Sequence, residues 1–205
     1  VLAKAGVTAT QVTVAAVFLS IVTGAALAVL HDDRRVFLLV PVALVLRMAL
    51  NAIDGMLARE HDMQSALGGL LNELGDVISD IVLYLPFGLI AGISPIAIIA
   101  TVVFAVLSEM TGVVAVQIGA SRRYDGPMGK SDRAFAFGLL AGLLGLGLDP
   151  GAWANAGLTG VAILTALTIL NRARAALGEA GPVKAMADTG PGNSVSSPRL
   201  PSSSK

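Results

Sequence analysis

Residues 51 to 80 read NAIDGMLAREHDMQSALGGLLNELGDVISD, and seven of them (Asn51, Asp54, Arg59, Asn72, Glu73, Asp76 and Asp80) carry groups suited to metal or phosphate work. They lie in a chain that is 55% hydrophobic. On a helix, Arg47, Asn51, Asp54 and Ala58 follow one another at steps of four, three and four, so they line one stripe. Asn72, Asp76 and Asp80 recur at steps of four and line a second. The polar stretch 60–68 reads as a turn between the two helices, which makes them antiparallel neighbours. Residues of equal depth then pair as Asp54 with Asn72, Asn51 with Asp76, and Arg47 with Asp80, the levels being about 6 Å apart. Carboxylates this close in a low-dielectric setting repel or take up protons unless a cation lies between them. A divalent metal at the two outer levels is the economical answer. The deepest level reads as a buried Arg47–Asp80 ion pair, structural rather than catalytic.

The elements that must hold these residues are membrane spans. Of 205 residues only 14% are charged, and the mean hydropathy is +0.78, which is too apolar for a soluble domain of this length. Zero formal net charge supplies no basic field, so nucleic acid is not an expected partner. The absence of cysteine excludes thiolate catalysis, disulfides and Cys-ligated zinc. Six stretches are apolar enough to span: 11–30, 36–58, 69–91, 95–119, 134–149 and 154–172. The fifth is short, and Gly138, Gly142 and Gly145 in it suggest close helix contact.

With the amino terminus inside, one side of the membrane receives Lys4, Arg59, Arg122, Arg123, Lys130, Arg133, Arg172 and Arg174, and the other only Arg34 and Arg35. The bias predicts both termini in the cytoplasm. The fold class expected is therefore all-α: a polytopic integral protein of a bacterial-type inner or plasma membrane, with six transmembrane helices and its site at the cytoplasmic ends of helices 2 and 3. Residues 1–177 form the transmembrane domain, and 178–205, rich in Gly, Pro and Ser, read as a disordered tail.

The polar stripe resembles the signature of the CDP-alcohol phosphatidyltransferases: Asp, two residues, Asp-Gly, two residues, Ala-Arg, eight residues, Gly, three residues, Asp, three residues, Asp. The matching residues are Asn51, Asp54, Gly55, Ala58, Arg59, Gly68, Asn72 and Asp76, with every spacing kept. The segment GVTATQVT (6–13) is similar to the family's entry to its first helix. Asn51 and Asn72 depart from the pattern, standing where the family has its first and third aspartates. An amide keeps a neutral oxygen ligand and loses a charge, so the expected affinity for Mg²⁺ or Mn²⁺ falls.

The resemblance implies transfer of a phosphatidyl-type group from a CDP-linked alcohol, such as CDP-diacylglycerol, to an alcohol acceptor, with CMP released, as in phospholipid biosynthesis. It implies Mg²⁺ or Mn²⁺ held by Asn51, Asp54, Asn72 and Asp76. By the same resemblance Asp76 is the catalytic base, and the CDP moiety meets Asp54, Gly55, Ala58, Arg59 and Gly68. The partners implied are the lipid donor, the acceptor and the bilayer; a homodimer is compatible with the glycine-lined helices. A phosphorylated acceptor could be held by Arg122, Lys130 and Arg133, or these could be cytoplasmic anchors at lipid headgroups. Glu109 reads either as a functional acid or as a protonated packing residue. His31 and His61 read as solvated loop residues, and Tyr84 and Trp153 as packing or interfacial aromatics. Two other functions remain open: a weakened homologue, motivated by the asparagines, that binds CDP-lipid or a protein partner, and a small ion or proton transporter.

Overall fold

The computed structural model describes residues 6–61 and 63–180 and is helical in every regular element. Helix α1 (Ala9–Val29) begins at Thr8, where hydroxyl and Gln11 carboxamide each accept from the other residue's backbone N–H at 3.2 and 3.0 Å. A single turn, α2 (Arg34–Phe37), leads into α3 (Leu39–Glu60), with Pro41 in the first turn where its missing N–H costs no helix bond. Helix α4 (Ala66–Tyr84) is capped by the Ser65 hydroxyl, which accepts from Gly68 N at 2.9 Å. It tightens into a 3-10 turn, Leu85–Leu89, at Pro86. Ser94 caps α5 (Pro95–Gln117), and α6 (Lys130–Gly145) and α7 (Ala152–Ala180) follow.

Four helical stretches are long and apolar enough to cross a membrane: Ala9–Val29, Arg34–Glu60, Pro95–Gln117 and Ala152–Ala180. The other two long helices correspond to the third and fifth expected spans. Helix α6 has only 16 residues, and α4 carries Glu73, Asp76 and Asp80 among its 19. Of the tail expected from 178, residues 178–180 are instead the last of α7, and the remainder lies outside the described residues.

Packing differs from the simple hairpin that the stripes suggested. Helix α1 packs along both α3 and α4, whereas the backbones of α3 and α4 scarcely approach each other and the two helices meet through side chains. The space between them is the site. Helix α5 packs on α7, and α6 on α3. Glycine admits α4 to α1: a methyl group on Gly24 would run into the Val82 carbonyl, and one on Gly75 would lie 2.7 Å from Val17 Cγ2. The glycines of α6 show the expected contact at two of three positions. Gly145 abuts Leu38 and Gly138 makes ordinary contact with Leu44, but Gly142 has open space where a side chain would be.

The apolar core includes Leu27, Phe37, Val40, Leu83 and Phe87, and in it Tyr84 stacks on Phe137 with ring centroids 4.0 Å apart. Outside, Phe18, Ile96, Ile99 and Phe135 are exposed. Inside, Arg47, Asp80, Arg133 and Arg172 are buried. An apolar exterior around a charged interior is the arrangement expected where hydrocarbon is the solvent.

Candidate active site

At the end of the bundle where α3 stops and α4 starts, a cavity of about 540 Å³ opens. Its lining includes Asn51, Asp54, Gly55, Ala58 and Arg59 from α3 and Gly68, Asn72 and Asp76 from α4, so the spaced residues converge on one space. Helix α1 adds Ala9, Thr10 and Thr13, and α6 adds Lys130. The carboxylate of Asp54, only 6% exposed, accepts at Oδ2 from the Thr13 hydroxyl at 2.8 Å. Asp76 is engaged at one oxygen. Its Oδ1 accepts from Asn51 Nδ2 at 3.2 Å and from Arg47 Nη2 at 3.4 Å and pairs with the Lys130 ammonium, while Oδ2 has no hydrogen-bond partner among the described residues.

Below it, Arg47 donates to the Asp76 carbonyl at 3.0 Å and to Asp80 Oδ1 at 2.7 Å. The Asn51/Asp76 and Arg47/Asp80 levels are therefore direct contacts. Among the described residues Asp54 and Asn72 share the cavity wall without a hydrogen bond between them.

Arg47 and Asp80 are not an isolated pair. Arg133 donates to Asp80 Oδ2 at 3.1 Å, to Glu109 Oε1 at 3.0 Å and to the Ser108 hydroxyl at 3.3 Å. It is fully buried and lines neither charged cavity, which corrects its expected role as an acceptor-phosphate ligand: its charge is consumed holding α4, α5 and α6 together. Glu109 also faces Arg172 at 3.4 Å and Arg122 at 3.5 Å. Three guanidiniums thus surround this one carboxylate, so Glu109 is the hub of an ion-pair network rather than an isolated packing residue. Arg122 makes a fork-to-fork pair with Glu73 at 2.9 and 2.7 Å.

A second cavity, of about 360 Å³, lies on this side and shares Asn72, Asp76 and Lys130 with the first. Arg122, Arg172, Glu73 and Glu109 also line it. In the loop beyond, hydrogen bonds from Arg123 hold the exposed Asp125 carboxyl below the usual carboxylate range.

Thr13, the Lys130–Asp76 pair, the Glu73–Arg122 pair and the burial of Arg172 went unread in the sequence. The signals were present but silent: Thr13 falls in the quoted GVTATQVT segment, and Arg172 follows an apolar helix in the way a surface anchor does. Among the described residues no group of three or more His, Cys, Asp or Glu side chains is disposed to hold a metal, and two of the four signature positions that would hold it carry amides, Asn51 and Asn72.

The sequence model of CDP-alcohol phosphatidyltransferase matches residues 6–172. This chain belongs to the CDP-alcohol phosphatidyltransferase family. A curated family relative, the Escherichia coli K12 inner membrane protein YnbA, is 44% identical over 174 residues, covering 85% of this chain and 86% of that protein. Among solved structures, the fold is that of Mycobacterium tuberculosis phosphatidylinositol phosphate synthase PgsA1. In its CDP-DAG-bound form the TM-score is 0.70 at 18% identity, over 85% of this chain and 89% of that one. The same enzyme with manganese and citrate gives 0.71 at 20% identity, over 85% of each chain. For this CDP-alcohol phosphatidyltransferase homologue, likeness at that level of identity establishes the fold.

Proposed function

We propose that the chain is an active, metal-dependent transferase of the inner membrane, moving a phosphatidyl-type group from a CDP-alcohol such as CDP-diacylglycerol to an alcohol acceptor in phospholipid synthesis. The observation that carries the reading is the convergence of all eight signature positions on one cavity. Six spans with both termini cytoplasmic remain the topology proposed, α4 and α6 crossing with their charged faces turned inward.

In this reading the donor's diphosphate enters the larger cavity. Gly55 and Ala58 keep the face of α3 low, and the exposed Arg59 offers its guanidinium fork to phosphate. Asp54 and Asp76, with the amide oxygens of Asn51 and Asn72, form a set of hard oxygen donors that suits one Mg²⁺ or Mn²⁺ better than two. Bound there, the ion supplies charge neutralisation at the diphosphate. Thr13 fixes the Asp54 carboxylate. Lys130 and Arg47 hold Asp76 by Oδ1, so Oδ2 is free to accept the acceptor's proton. The acceptor oxygen bonds to the lipid phosphorus, the bond from that phosphorus to the bridging oxygen breaks, and CMP leaves with the electron pair. The second cavity, which meets the first at Asp76, is the acceptor's side.

One observation favours a second reading, a weakened homologue that binds CDP-lipid without turnover: Asp76 is already paired with cations of the chain itself. Purified protein in detergent, given labelled CDP-diacylglycerol, Mn²⁺ and a panel of alcohols, separates the two. Metal-dependent CMP release lost in Asp76→Asn supports the enzyme; donor binding with no CMP release for any alcohol supports the homologue.

A further inference from the structure

The second cavity contains cations but no free positive charge. Arg122 is bound bidentately by Glu73 and approached by Glu109. Arg172, 2% exposed, is spent on Glu109 and on the Ser108 and Asp125 carbonyls. Lys130 is held by Asp76. Against these three cations the lining sets Glu73, Asp76, Glu109 and Asp132, and Arg47 and Arg133 behind the wall pair with Asp76 and Glu109, so each lining cation already faces a carboxylate. A phosphate dianion entering here must take Arg122 from Glu73 and then lie beside that carboxylate unscreened. Both steps are unfavourable in a partly dehydrated cavity.

We infer that this cavity selects an unphosphorylated alcohol, neutral or bearing an ammonium group, and rejects phosphorylated acceptors. The inference rests on the transferase reading of the site and deepens it by naming the acceptor's charge class. Glu73 is the determining residue. Its carboxylate is the closest partner of Arg122 and is itself partly exposed, so it is the group that masks the guanidinium from an incoming anion.

The test uses the full chain in detergent with CDP-diacylglycerol, Mn²⁺ and matched acceptors: glycerol against glycerol 3-phosphate, inositol against inositol 1-phosphate, with ethanolamine as the cationic member. The unphosphorylated partner is expected to be preferred in kcat/KM on the order of a hundredfold, the scale of an uncompensated like-charge contact. Equal or better turnover of either phosphorylated acceptor overturns the inference.

A binding arm needs no turnover. Glycerol 3-phosphate is titrated into wild type and Glu73→Gln, and the variant, with Arg122 unmasked, is expected to bind about tenfold more tightly. Equal affinities, whether strong or absent, overturn the inference. Failure of the transferase reading shows separately, as no CMP release with any alcohol, and leaves this comparison of the two proteins decisive.

Discussion

Replacing Asp80 with Ala removes the carboxylate that takes hydrogen bonds from Arg47 at 2.7 Å and from Arg133 at 3.1 Å, both guanidiniums being buried. Breaking a buried ion pair from one side costs about 3–5 kcal/mol, because the surviving charge has lost its compensation. Here each arginine keeps a second anionic neighbour, Asp76 for Arg47 and Glu109 for Arg133, so the lower end of the range applies. A loss of about 3 kcal/mol corresponds to roughly a 150-fold change in the folding equilibrium. Asp80→Asn, which keeps the shape and one acceptor, should lose less. The assay is denaturant or thermal unfolding in detergent alongside CDP binding by the fraction that remains folded, which should retain its affinity. Unchanged stability with lost CDP binding would refute the structural assignment of Asp80 and move it into the substrate site.

Thr13→Val removes the 2.8 Å bond to a buried carboxylate; a hydrogen bond to a charged group is worth about 1.5–3 kcal/mol, and a raised KM for the CDP donor that Thr13→Ser restores is the expected kinetic signature. Gly24→Ala forces α1 off the Val82 carbonyl and should destabilise by about 1–3 kcal/mol in thermal unfolding, whereas Gly142→Ala, with open space around it, should change little. Asn51→Asp with Asn72→Asp restores two charges beside Asp54 and Asp76, so Mn²⁺ affinity measured by titration should rise; unchanged affinity would mean that the amides are not at the metal.

What could be read from the sequence was what a single helix encodes. The α3 and α4 stripes are helix-periodic, so the depth levels that join Asn51 to Asp76 and Arg47 to Asp80 follow from spacing alone. What crosses between distant helices does not. Lys130 reaches Asp76 and Thr13 reaches Asp54 only because α6 and α1 flank the same gap, and no periodicity within either segment specifies that neighbour. Arg133 illustrates the cost: in a basic stretch at a helix start it reads as a surface charge, and only Asp80 and Glu109, supplied by two other helices, make its burial tolerable. Of the α6 glycines, Gly138 and Gly145 mark contacts and Gly142 does not, since small residues permit close approach without naming the partner.

The arrangement around Glu109 bears on how the protein is made. Two of its three guanidinium partners, Arg133 and Arg172, belong to α6 and α7, which follow α5 in the chain. If α5 enters the bilayer before them, it carries an acid whose counter-charges have not yet been synthesised. Helix α5 is then expected to stay at the insertion machinery, or with its acid near the aqueous face, until α6 and α7 arrive. Chains truncated ahead of Lys130 should be recognised as incomplete by membrane quality control.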